Sequence, residues 1–251
     1  MYEGGSSISS GSSMASVAPS GDRRTWRFTC QLNMPRRLHG ASHTPQVSAG
    51  VRLTDKMREI SPATNMSAEE YLRLAPPEGQ ELVRRIRRQK EEGTRPMPSA
   101  SLIDCSVLLT AQRRKSLLDR VAVLVDENLF GRAEMCMQFS SLLAMALSHL
   151  GLSARTALGK ALYYHDGREI FRWDHAWVRI GEEIVDGNVD ILFENPMVPP
   201  SVNVSLFWGS INDVPRDRRL REDRTRAMPP DAYVSEIWWP ELRSWLDDEL
   251  R

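Results

Sequence analysis

The chain has 251 residues, 41% of them hydrophobic, with 33 basic and 33 acidic side chains and a formal net charge of zero. That length and apolar content support one sizeable core with appendages, and the balanced charge leaves no global field to draw the chain onto nucleic acid or an anionic membrane. Cys30, Cys105 and Cys136 are too few and too scattered for a disulfide framework. No Cys-x-x-Cys or Cys/His cluster offers metal-ligand spacing, so a reducing compartment is expected and no metal or cofactor is implied.

The first twenty residues carry eight serines and three glycines, with Ile8 and Val17 as the only branched aliphatics. Such a segment cannot bury enough surface to offset its chain entropy, so residues 1–50 are expected to be a disordered tail. The tail has two readings: a targeting or secretion segment, or sequence upstream of the true start, with Met57 and Met66 as alternative initiators. No apolar stretch reaches signal-peptide or membrane-spanning length, which predicts a soluble, cytoplasmic chain, or a secreted effector if the tail is an uncleaved signal. Residues 51–98 read as a helical N-terminal extension. Ser67 and Glu70 are spaced as a capping box, Pro76 and Pro77 interrupt, and "EGQELVRRIRRQKEE" resumes as a helix with a solvated, charged face.

Residues 99–251 carry the main domain. The short apolar run of "SLIDCSVLLT" suits a buried strand or a helix start, with Cys105 as a small structural hydrophobe. A helix follows, with Leu117, Leu118, Val121, Leu124 and Val125 on one face. In "RAEMCMQFSSLLAMALSHLGLSAR", Phe139, Leu142, Leu143, Ala146, Leu147 and Leu150 recur at three and four, a helix with one buried face that stops at Gly151. His149, in its last turn, is a capping residue. Cys136 opens this helix, where unpaired N–H groups and the macrodipole favour a thiolate.

The period then turns toward strands: "ARTALGKALYYH", a turn at Asp166 and Gly167, "REIFRW", "HAWVRI" and "EIVDG". Helices followed by strands predict an α+β domain with helices on one side of an antiparallel sheet. If Gly181 and Glu182 form a two-residue loop, Trp177 pairs with Asp186 and His175 lies diagonal to it. A four-residue loop puts His175 directly opposite. Either register places imidazole and carboxylate on one surface. Cys136 as nucleophile, His175 as base and Asp186 as the group that orients it make a full set for thiol catalysis. Asp190, four residues on, is the runner-up for the acid. Gln112, Asn128 and Gln138 are unranked candidates for the oxyanion donor that joins the Cys136 N–H. Trp173, Trp177 and Trp208 read as packing rather than cleft. Asp213–Arg226 reads as a solvated run of mixed charge, and the final "PDAYVSEIWWPELRSWLDDELR" as an amphipathic segment that docks on the core.

The cysteine that starts a helix, the Gly151/Ala154/Arg155/Gly159 set, the His175-Ala-Trp177-Val strand and Asp186 on the next strand together resemble the transglutaminase-like cysteine hydrolase and acyltransferase superfamily. The likeness covers about residues 130–190. It departs from the common pattern in carrying Glu134 and Met135 where glycine often precedes the cysteine, and Asp-Gly-Asn where Asp-Pro-Thr is common. The resemblance implies an acyl-enzyme on Cys136 and a peptide or protein substrate, cleaved or transferred at an amide. The alternative is a catalytically idle relative that keeps the fold as a protein- or peptide-binding module.

Overall fold

The computed structural model describes residues 73, 75 and 77–249, except 129, 196, 197, 225–227, 229 and 230. The expectations for the tail, for Cys30, for the Ser67–Glu70 capping box and for the alternative starts at Met57 and Met66 lie outside the described residues. The chain divides into two units, 1–65 and 66–251, and every described residue lies in the second. Helix α1 (Pro77–Glu91) opens on a proline, whose fixed φ suits a first helical position, and buries only Val83 and Ile86. Most of its charged residues lie outward, as the sequence predicts, but Lys90 turns in to donate to the Asp126 carbonyl. Helix α2 (Ala111–Val125) is capped by the Thr110 side chain, which accepts from the Arg113 N–H. Leu117, Leu118, Val121, Leu124 and Val125 are fully buried, each worth about 1.5–3 kcal/mol of transfer free energy. Helix α3 (Cys136–His149) buries the expected stripe, and Gly151 ends it at φ +84°.

The sheet has six strands in the order β1-β5-β4-β3-β2-β6. They are β1 (Ile103–Asp104), β2 (Ala154–His165), β3 (Arg168–Ile180), β4 (Glu183–Asp186), β5 (Phe207–Ser210) and β6 (Arg218–Glu222). An α+β fold is therefore present, but the sheet is mixed: β1 runs parallel to β5 while the other pairs are antiparallel. Cys105, just after β1, is exposed rather than a buried structural hydrophobe. The β2–β3 turn places Asp166 at φ 49° and Gly167 at φ 74°, the left-handed pair that suits a two-residue hairpin loop. At β3–β4 the two-residue loop is the one adopted, since Ile180 pairs with Glu183 and Val178 with Val185. One further step along that register sets Trp177 opposite Asp186.

Both faces of the central strands are covered. Val178, Ile180, Val185 and Trp208 join the cluster formed by α2 and α3. Ala157, Trp177, Ile184 and Phe207 form a second cluster against Val214 and Leu220. The C-terminal segment docks as expected, although its first turn is a π-helix (Tyr233–Trp238) that leads into α4 (Trp239–Glu249). Val234, Trp238, Leu242 and Leu246, each four apart, bury in the main core. His149 at the end of α3 pairs with Asp247 at 2.9 Å, consistent with a structural role. Among the described residues no helix is long and apolar enough to cross a membrane.

Candidate active site

The chain reaches Cys136 through a loop locked by buried charge. Arg132 is wholly buried; its Nε donates to Asp126 at 3.0 Å, and Nη1 and Nη2 donate to the two oxygens of Asp190 at 2.8 and 2.9 Å. Arg95 donates to Asp126 at 2.8 Å and to Glu194. A cation and an anion so deeply desolvated persist only where each has its counterpart and its hydrogen bonds. Gly131 sits within this knot at φ +59°, where a Cβ would lie 2.8 Å from Arg95 Nη2 and 2.9 Å from Asp126 Oδ1. Asn188 donates to the Arg132 carbonyl at 3.0 Å. Glu134 then adopts φ 60°, the left-handed backbone for which glycine is the easy residue. Its carboxylate accepts from Asn195 at 2.8 Å, a bond that helps to offset the strain.

Helix α3 begins at Cys136 itself, and no side chain caps it. Its first backbone bond runs from the Phe139 N–H to the Met135 carbonyl at 2.9 Å, and the Met135 N–H donates to the Arg132 carbonyl, so the amides of Cys136, Met137 and Gln138 stand outside the helical ladder, as at any helix start. Cys136 is buried against Leu158 of β2 and Ala176 of β3. His175 is 3% exposed and Asp186 is 0% exposed, and His175 Nε2 meets Asp186 Oδ1 at 2.7 Å. The other ring nitrogen, Nδ1, is buried without a geometrically formed hydrogen bond. The Cys136 thiol lies close enough to contribute to the imidazole's proton affinity. Burial pushes the His175 pKa down, but the charge and hydrogen bond of Asp186, with the Cys136 contribution, outweigh it and raise it to about 10. Burial pushes the Asp186 carboxyl up, yet His175 and Arg218 hold it below its ordinary value. The imidazole also stacks between two indoles, with centroids 6.1 Å from Trp173 and 6.2 Å from Trp177, an environment that favours a cationic ring.

The structure therefore brings Cys136, His175 and Asp186 together and leaves Asp190 elsewhere, with both its oxygens engaged by Arg132. Asp190 is held in the ion pair with Arg132, and it is Asp186 that meets His175. Of the three candidate oxyanion donors, Gln112 donates to Ser116 and Gln138 to Asp231, while the Asn128 side-chain oxygen accepts from the Phe130 N–H. Trp177 and Trp208 are core residues, as expected. Trp173, in contrast, lines a narrow crevice with Glu134, Cys136, Asn188 and Asn195, and its buried indole bears on the Tyr163 phenol.

Sequence reasoning missed Arg218, the first residue of β6 in a run read as solvated. Its side chain is fully buried; Nη1 donates to Asp186 Oδ2 at 2.8 Å, Nε to Asp217 at 2.9 Å, and Nη2 to the Ser205 carbonyl. A signal existed in the alternation of Arg218, Leu220 and Glu222 against Arg219 and Arg221, but nothing local tells which of these strand charges turns inward.

These elements define an α+β chain with a buried Cys–His–Asp constellation at a helix start. No protein-family model and no curated protein matches the chain. One solved crystal structure from a genomics programme aligns with 54% of this chain and 79% of its own, at 18% identity and a TM-score of 0.39.

Proposed function

We propose that the protein is a thiol-dependent hydrolase or acyltransferase of transglutaminase-like fold that acts on an amide bond through an acyl-enzyme on Cys136. The observation that carries this reading is the tethering of His175: Asp186 occupies Nε2, so the buried, unbonded Nδ1 is the nitrogen left for the thiol. The Cys136 sulfur, as thiolate, attacks the carbonyl carbon. The resulting oxyanion is met by the Cys136 N–H at the start of the helix. As the C–N bond breaks, Nδ1–H passes its proton to the leaving nitrogen, which leaves a thioester and a neutral imidazole. Water or an amine then attacks the thioester, its proton passes to Nδ1, and the thiolate departs.

The test is capture of the thioester. Incubation with a mixture of peptide amides and esters, a rapid acid quench and mass spectrometry should find acyl mass on Cys136, and none in Cys136→Ala. Turnover retained by a folded Cys136→Ala variant would refute the nucleophile. The near-closed state of the crevice favours one rival, a peptide-binding module. Peptide binding of equal strength in parent and Cys136→Ala, with no acyl adduct, is the outcome that would select it.

A further inference from the structure

The second oxygen of Asp186 has an owner that the three-residue reading leaves without a task. Arg218 reaches it from β6, which β2 and β3 separate from β4 in the sheet order, and the two side chains are both 0% exposed. A buried arginine is costly unless its charge is matched. Its donors are distributed with little freedom: Asp186, Asp217 and the Ser205 carbonyl fix the fork in one orientation. We propose that Arg218 is a positioning residue of the site, which holds the Asp186 carboxylate in its charged form during the half of the cycle in which His175 is neutral.

This inference rests on the thiol-enzyme reading above. In the resting state the Asp186 carboxylate faces both the imidazolium and the guanidinium. After His175 has given its proton to the leaving group, the thioester and imidazole are neutral, and Asp186 faces Arg218 alone. Arg218 is the counter-charge common to both states. Without Arg218 the second state would hold a lone carboxylate in a fully buried site, where burial favours the protonated form. A protonated Asp186 is a poorer acceptor for Nε2–H, so the ring would lose both its tautomer and its aim.

Four other groups bear on that carboxylate. His175 faces it from β3, and Cys136 lies at the start of α3. Tyr163 of β2 stays a neutral phenol, because burial and then the Asp186 charge hold its pKa well above the usual value. Asp217 stands behind Arg218 and is 35% exposed at its side chain, so solvent screens its charge. None of these supplies a permanent cation, so that role falls to Arg218.

The experiment uses the full chain with ¹³C-labelled aspartate and follows Asp186 Cγ by NMR against pH, in a His175→Gln background that mimics the neutral-imidazole state. With Arg218 intact, Asp186 should remain ionised down to or below the ordinary aspartate value. Adding Arg218→Met should raise its midpoint by at least one unit, about a tenfold change in the ionisation ratio, and Arg218→Lys should restore it. In otherwise unaltered protein, Arg218→Met should move the acid limb of kcat upward with KM little changed, a shift that a mere staple on β6 would not produce. If Arg218→Met fails to fold, the His175→Gln titration alone still decides: a midpoint well above the ordinary value with Arg218 present overturns the proposal. Coincident titrations with and without Arg218 overturn it too. Absence of an acyl adduct on Cys136 instead overturns the enzyme reading, whatever the titrations give.

Discussion

Asp190→Asn should cost stability and spare chemistry, whereas Asp186→Asn should cost both. Asp190 meets Arg132 through two bonds of 2.8 and 2.9 Å with both side chains buried. Removing one partner of a buried pair typically costs about 3–5 kcal/mol. Arg132 keeps Asp126 and the Pro96 carbonyl, which favours the lower end, about 3 kcal/mol. For a domain of this size each kcal/mol moves Tm by about 2–4 °C, so a fall of roughly 6–12 °C is expected. Thermal and urea unfolding measure it, and kcat/KM measured well below Tm should stay within about threefold of the parent, a small change in transition-state stabilisation. Asp186→Asn should lower turnover by about 10²–10⁴-fold through the wrong imidazole tautomer. It also strips Arg218 of its main counter-charge, so its Tm should fall as well and activities must be compared on fully folded protein. An unchanged Tm with lost activity in Asp190→Asn would refute the structural assignment of that residue.

The site should also mark the pH dependence of stability. Asp186 is depressed, so its contribution is present above the ordinary aspartate value and lost as pH falls through its folded value. His175 is raised to about 10, so its contribution is complete below the ordinary histidine value of about 6.5 and fades as pH rises toward 10. Urea melts at about pH 6 and about pH 9.5 should show the alkaline loss in the parent, and a smaller one in His175→Gln; equal losses would count against the pairing. Gly159→Ala should break β2–β6 pairing, because its Cβ would lie 2.0 Å from the Arg221 carbonyl oxygen. Soluble yield and near-UV circular dichroism should both fall, and a variant with parental stability would contradict the packing at that strand pair.

Much of the site was legible because its determinants are local. The spacing of Phe139, Leu142, Leu143 and Ala146 defines α3, and with it the place of Cys136 at a helix start. The alternation around Trp177 and the Gly181–Glu182 loop set the register that joins His175 to Asp186. What stayed hidden depends on partners distant in the chain. Arg218 meets Asp186 across 32 positions, and Arg95 meets Glu194 across 99. A sequence window shows such residues only as charges, and charge at a surface is the common case. The role of Asp190 was ambiguous for the same reason, since the arginine that claims it lies 58 positions away. The β1–β5 pair was obscure because two residues of strand carry too little periodicity to be read.

The knot behind the nucleophile loop also bears on how short an autonomous fragment of this chain can be. Arg95 lies ahead of residue 99, outside the segment that carries the helix, the strands and the Cys136–His175–Asp186 cluster. A polypeptide begun at 99 would retain Glu194, whose side chain is 0% exposed, and Asp126, at 6%, but would lose the guanidinium between them. Repulsion at that spot would fall on Gly131 and Arg132, a few residues before the thiol. Limited proteolysis that removes α1 together with Arg95 should therefore silence Cys136 without cutting near it, so the smallest competent piece must begin upstream of Arg95.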